Sequence, residues 1–362
     1  MHEKPEQAGR AAVPTKVEIR CPARICLAGE HLDWTFRHSL LSTVDLHLTA
    51  AVQPITPRGD IRVLAESRQY PESQLIVMDN NLGDYDGGPL DYVHAAIVVL
   101  MRRAYVTLPS VALHLDSNIP VSAGLSSSAA VTLATLGALA RYFGLGLSRT
   151  ELCRLAYEVE ATELKTGAGE MDFYICASGG ITYLDCSHSP PRQVPIRQLP
   201  ADVGIVIADS LVQHSTKQTI TDIRARLKQG DPNVQQYFEL TSLAVAEMSH
   251  LMQQDHRDIA RLGELISTCH TYMKDLLGVS TEIIDRCVRT CLEQGAYGAK
   301  ITGAGGGGSM FAIAPRARIP DIVDALGSHQ VGVFVTAFDQ IGMTYNEPSS
   351  GSTAAHAAGG CG

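Results

Sequence analysis

PVSAGLSSSAAV, residues 120–131, sets three consecutive serines between a proline-led glycine turn and a run of small apolar residues. Inside a helix such a run is unfavourable, because each hydroxyl competes for nearby backbone groups. At a helix start the same property is useful. Gly124 lets the chain pass close to a ligand, Ser126, Ser127 and Ser128 offer hydroxyls and free N–H groups, and Ala129 and Ala130 allow close helix approach. The stretch therefore predicts an anion-binding helix N-terminus. The plainer alternative is a Ser N-cap with no ligand, which three serines after Gly-Leu fit less well without excluding it. Neither a G-x-x-x-x-G-K-S/T loop nor a G-x-S-x-G elbow occurs anywhere in the chain.

Outward from this stretch, the helix it opens, AAVTLATLGALARYFG, closes at Gly144, and a second helix starts at a Ser148 cap. On the N-terminal side, KVEIRCPARICLAGEH, DLHLTAAVQP and DIRVLAE alternate with the period of strands, and VALHLDSNI adds another. GPLDYVHAAIVVLMRRA has helical spacing. The Pro-rich SPPRQVPIRQLP marks a domain boundary. Beyond it the pattern is a strand, VGIVIADS, then helices near 217–228, 233–254, 257–276 and 281–294. A strand, a helix near 319–327 and a last strand near 331–338 follow. The fold class read from this order is α+β in two lobes: polar tail 1–15, β-rich N-terminal domain 16–200, α+β C-terminal domain 201–345, and a disordered Gly/Ala/Ser tail 346–362.

Three further stretches carry polar chemistry. CPARICLAGEHLDW, residues 21–34, clusters Arg24, Glu30, His31 and Asp33 where the chain otherwise reads as a buried strand and its turn. Singly each reads as a surface charge or an ion-pair partner; together they read as a polar ligand site. GAGEMDFY, residues 167–174, puts Asp172 in a semi-apolar setting, although an Asp there also fits a helix cap. GAGGGGS, residues 303–309, matches G-x-G-x-x-G formally, but a strand follows it instead of a helix. It reads as a strand-to-strand turn whose glycines permit close approach to a ligand or to the serine helix.

In this order the stretches resemble the GHMP kinases, the superfamily of galactokinase and of homoserine, mevalonate and phosphomevalonate kinases. PARICLAGEHLD is similar to the first family motif, PVSAGLSSSAA to the phosphate loop and GAKITGAGGGGS to the third motif. The resemblance implies a two-lobed fold with a ribosomal protein S5 domain 2-like N-terminal domain and a ferredoxin-like C-terminal domain. It implies ATP and Mg²⁺ as cofactors, with Gly124, Leu125, Ser126, Ser127, Ser128 and Ala129 on the nucleotide and Ser128 and Glu160 on the metal. Glu163 is the alternative ligand if the count from Asp172 carries an insertion.

Within the superfamily the segments look most like galactokinase: Arg24 stands where mevalonate kinases have Lys, and GEHLD is similar to GEHTD. GEMDFYICASGG, DYVHAAIVVL and DSLVQHS are also galactokinase-like. This implies Asp172 and Arg24 as catalytic residues and Glu30, His31, Asp33, Gly169 and Asp172 around a sugar phosphorylated at its anomeric hydroxyl. After Asp33 the chain departs from galactokinases, and PARICLAGEHLDWTFRHSLLSTVDL is also similar to heptose 7-phosphate kinases. Arg37 and His38 are therefore candidates for a distal phosphate of a longer sugar phosphate, with a solvated surface pair as the alternative. A mevalonate-type kinase and a non-catalytic sugar sensor of the same fold are the rival readings.

Bulk properties bound these readings. At 362 residues the chain is long enough for two domains. A net charge of -9 disfavours nucleic acid as a partner. No apolar run is of membrane-spanning length and no leader pattern follows Met1, so a cytoplasmic protein without membrane contact is expected, as monomer or homodimer. Nine cysteines lack C-x-x-C pairs, and Cys287 and Cys291, four apart on one helix face, read as core packing.

Overall fold

The computed structural model describes residues 16–56, 61–78, 81–104, 110–121, 123–212 and 215–346. The tail expected at 1–15 and, apart from residue 346, the one expected at 346–362 lie outside the described residues, as does Ser122 of the serine loop.

The N-terminal part is built on β2 (His38–Pro54), a long strand that pairs antiparallel with β1 (Val17–Ala28), β5 (Val111–Ser117) and β6 (Ile181–Asp185). β3 (Ile61–Ser67) joins β5 in parallel and forms a hairpin with β4 (Tyr70–Met78). The Pro-rich stretch read as a boundary contains β7 (Arg192–Ile196), which closes a hairpin on β6. Its prolines hid it: Pro cannot donate to a ladder, so a strand holding Pro195 is confined to the sheet edge.

β1 is buried almost throughout, because helices cover it. α2 (Ser127–Tyr142) packs on β1 and β2, with α1 (Asp91–Ala104) and α3 (Arg149–Tyr157) beside it. Leu133, Leu136 and Leu139 of α2 have no exposed surface, and burying each stabilises the fold by ~2 kcal/mol. α3 starts at the cap expected of Ser148, here a capping box in which Ser148 and Glu151 exchange hydrogen bonds, and it runs on as a π-helical segment over Glu158–Glu163. α4 (Met171–Ser178) follows.

The second sheet, in the order β11-β8-β10-β9, is antiparallel throughout: β8 (Val203–Asp209), β9 (Gly298–Ile301), β10 (Ser309–Pro315) and β11 (Gly332–Thr336). The expected helices appear as α5 (Thr216–Lys228), α6 (Pro232–Gln253), α7 (Ile259–Tyr272), α8 (Glu282–Glu293) and α9 (Ile319–Gly327). Cys287 and Cys291 lie buried on α8, as read. The chain then returns to the first sheet, where β12 (Thr344–Asn346) pairs with β1, so Asn346 belongs to a strand and not to the tail. Among the described residues no helix is long and apolar enough to cross a membrane.

Candidate active site

Three chain segments distant in sequence converge at the end of β1. The glycine turn between β9 and β10 lies against the serine loop: a Cβ on Gly124 would fall 2.6 Å from the Thr302 carbonyl oxygen. Such contact needs glycine on both sides, and Gly124 and Gly303 have φ of +72° and +82°. The turn is thus a close-approach device, as its composition predicted. His31, itself at φ 66°, bridges to it through Nε2 and the Ala304 carbonyl at 3.1 Å. Burial pushes His31 down to about 4, so the ring is neutral and Nε2 carries the proton.

Arg24, 3% exposed, projects from β1 into this junction. Its Nε and Nη2 donate to the two carboxylate oxygens of Asp172, each at 2.7 Å, and Nη1 donates to the Gly124 carbonyl at 2.6 Å. This bidentate fork fixes the carboxylate plane. Ser126 occupies the N-cap position of α2 in the left-handed region, but its hydroxyl makes no cap bond; it donates to Asp172 Oδ2 at 2.5 Å. The simple capping alternative therefore fails for Ser126. It fails for Asp172 too, because Glu170 is the N-cap residue of α4.

Two cavities meet at Asp172. The larger, about 470 Å³, runs along Gly124, Ser126, Ser127 and Ser128 toward Tyr70 and Tyr92. The smaller, about 80 Å³, is walled by Glu30, His31, Asp33, Trp34, Glu160 and Gly169. Arg24, Ser128, Asp172, Thr216, Gly303 and Ala304 line both. Leu125 and Ala129 are buried supports of the loop, outside both linings. Gly169 backs directly onto Asp33, where a Cβ would fall 1.8 Å from Oδ2. The Met171 N–H donates to the same oxygen at 3.3 Å. Burial, reinforced by the Asp172 charge, raises the Asp33 carboxyl to about 6.

Glu160 is 4% exposed, and burial pushes it up to about 8 against the opposing influence of the neighbouring Ser128 hydroxyl. Its Oε1 is buried without a hydrogen-bond partner among the described residues. An orphaned carboxylate oxygen beside a hydroxyl is a donor set that fits a hard divalent cation. The alternative, Glu163, lines neither cavity, and its two oxygens accept from Arg102 at 2.6 Å and Tyr85 at 2.7 Å.

This carboxyl gives a pH signature. Below 6.5, the neutral buried His31 and His270, both near 4, act with the opposite sign. From there to about 8, folded protein keeps the Glu160 proton that the unfolded chain has lost, so stability falls as pH rises. Metal-free protein is expected to lose about 2 kcal/mol between roughly pH 6.5 and 8. Glu160→Gln should flatten that slope and raise the magnesium requirement. Denaturant melts in chelator that show the same slope for wild type and variant would contradict the assignment.

Two expectations need correction. Arg37 turns away from the site, donating to the Phe238 carbonyl at 3.2 Å and lying over the Phe238 ring of α6. His38 stacks on Tyr183 and faces Asp185. Neither lines either cavity, so they form no distal-phosphate seat. Glu30 is not free for a ligand in full, because the buried ammonium of Lys300 takes its Oε1. Lys300 was overlooked, although a lone Lys in the small and apolar strand GAKIT was a visible signal. Trp34, in the smaller cavity, and Thr216, at the start of α5, were overlooked as well.

Comparison with known proteins gives the family of the chain. Residues 91–180 match the GHMP kinases N terminal domain and residues 248–331 the GHMP kinases C terminal domain. The chain is 32% identical over 315 residues to the mevalonate kinase of Thermococcus sibiricus, which covers 83% of this chain and 90% of that protein. It belongs to the GHMP kinases. This GHMP kinase is also 24% identical over 337 residues to the galactokinase of Pyrococcus furiosus, covering 86% of this chain and 93% of that one. Lactococcus lactis galactokinase complexed with galactose shares its fold, with a TM-score of 0.80 at 22% identity over 92% of this chain and 95% of that one. The two-lobed α+β GHMP kinase fold and membership of a phosphotransferase family follow.

Proposed function

We propose that this kinase transfers the γ-phosphoryl group of ATP to the anomeric hydroxyl of a monosaccharide. The observation that carries the reading is the position of Asp172 between the two cavities, clamped by Arg24. In the larger cavity the N–H groups of the serine loop, at the start of α2, receive the nucleotide phosphates. Ser128 and Glu160 would hold Mg²⁺, which would supply positive charge to offset that of the phosphates. Asp172 orients the acceptor hydroxyl and takes its proton, while Arg24 fixes the carboxylate and adds positive charge beside the transferring group.

A sugar is favoured by the lining of the smaller cavity. The second oxygen of Glu30, the carboxyl of Asp33 and Asp172 accept hydrogen bonds, which hydroxyl-rich ligands donate. Trp34, Met171 and Phe173 supply an apolar wall. A carboxylate ligand would meet like charge there.

A second reading has its own support. The relative at 32% identity is named a mevalonate kinase. Arg224 of α5 lies 4.8 Å from the centre of the Trp34 ring, with no carboxylate partner among the described residues. An anionic alcohol such as mevalonate could direct its carboxylate to that guanidinium. An ADP-release assay across D-galactose, other free hexoses and (R)-mevalonate separates the two. ADP release with a hexose supports the sugar reading; release with mevalonate alone overturns it.

A further inference from the structure

Lys300 is a cation with no exposed surface, in a strand of small and apolar residues. Its ammonium has three protons and three acceptors: the Ile301 carbonyl at 2.7 Å, the Cys26 carbonyl at 3.2 Å and Glu30 Oε1. Two of these belong to β1 and the turn after it, so a side chain from the second sheet ties down the end of the first. The Tyr237 hydroxyl, from α6, donates to the Glu30 carbonyl at 2.9 Å and holds the same residue from another side. Glu30 is 1% exposed, and its Oε2 has no donor among the described residues.

A buried carboxylate oxygen without a donor is costly, and the ammonium has no fourth proton to give. Since Glu30 lines the smaller cavity, the donor has to come from whatever enters it. We propose that Lys300 is a positioning residue for acceptor recognition: by holding Oε1 it fixes Glu30 with Oε2 presented to a hydroxyl of the acceptor. Because Lys300 comes from the second sheet and Glu30 from the turn after β1 of the first, the bond also makes acceptor binding depend on the two parts being correctly docked. The proposal rests on the reading that the smaller cavity holds the acceptor, but not on that acceptor being a sugar.

The test uses Trp34, the only tryptophan in the chain and a wall of the same cavity. D-galactose, other free hexoses and (R)-mevalonate are titrated against its fluorescence, and whichever binds is taken forward with wild type, Lys300→Met, Lys300→Arg and Glu30→Asp. Glu30→Asp keeps the charge but shortens the side chain, so it reaches either Lys300 or the acceptor. Lys300→Met and Glu30→Asp are each expected to weaken acceptor binding at least about tenfold, equivalent to about 1.4 kcal/mol. The KM for ATP should stay within about twofold, and Lys300→Arg should recover part of the loss. Acceptor affinity within about twofold of wild type in Glu30→Asp would reduce Lys300 to a structural ion pair, a result that stands even if Lys300→Met does not fold. If mevalonate binds and neither galactose nor any other free hexose does, the sugar reading fails and the role of Lys300 is measured on mevalonate. If neither mevalonate nor galactose nor any other free hexose moves the Trp34 signal, the cavity does not hold the acceptor and the proposal falls.

Discussion

Asp172→Asn is expected to lower turnover by roughly two to four powers of ten while leaving the affinity for ATP nearly intact, the range for losing a positioned proton acceptor. The substitution keeps the shape of the side chain and removes its charge. Asp172 is held by three donors, two from Arg24 and one from Ser126, all aimed at an ionised carboxylate. An amide can accept on one side only, so the fork is broken and Arg24 is left buried without its counter-charge. Some loss of stability should accompany the loss of turnover, and a thermal melt measures it separately. A variant that keeps more than about half of wild-type turnover would make the Arg24–Asp172 pair a structural bridge between β1 and α4.

Gly124→Ala should damage the nucleotide site about as severely. Its Cβ would lie 2.6 Å from a backbone carbonyl oxygen, Thr302, which cannot swing aside as a side chain could. At φ +72° an L-residue also carries backbone strain, about 1–3 kcal/mol. The serine loop and the glycine turn must then part, and the KM for ATP is expected to rise more than about tenfold. Gly144→Ala is the control. Gly144 has a similar φ of +64°, but nothing lies within 4 Å of its Cβ position, so it isolates strain from collision. Equal effects of the two substitutions on ATP would show that the loop contact is unimportant.

Much of this site was legible in the sequence because its parts are local. The serine run, the glycine turn and the Arg24 to Asp33 cluster each carry their chemistry in a dozen residues, and the structure brings all three to one junction. What the sequence hid was direction. Arg37 follows a short 3-10 turn over Asp33–Thr35 and Phe36 at φ 59°, and that reversal sends its side chain to α6 instead of the cavity. Strand periodicity carries no information through such a turn. Partners distant in sequence were hidden as well: Glu30 and Lys300 are 270 positions apart, and nothing near Glu30 announces that one oxygen is already taken. The choice between Glu160 and Glu163 needed the structure too. The two lie in one π-helical segment, and only its packing shows which faces Ser128 and which faces Arg102.

Phosphorus NMR of the product from ATP and a turned-over hexose tests the central claim most directly. If Asp172 receives the proton of the anomeric hydroxyl, the new phosphate resonance couples to the anomeric proton of the sugar. Coupling to a primary CH₂ group, or a new phosphate formed only when mevalonate is the acceptor, would contradict it.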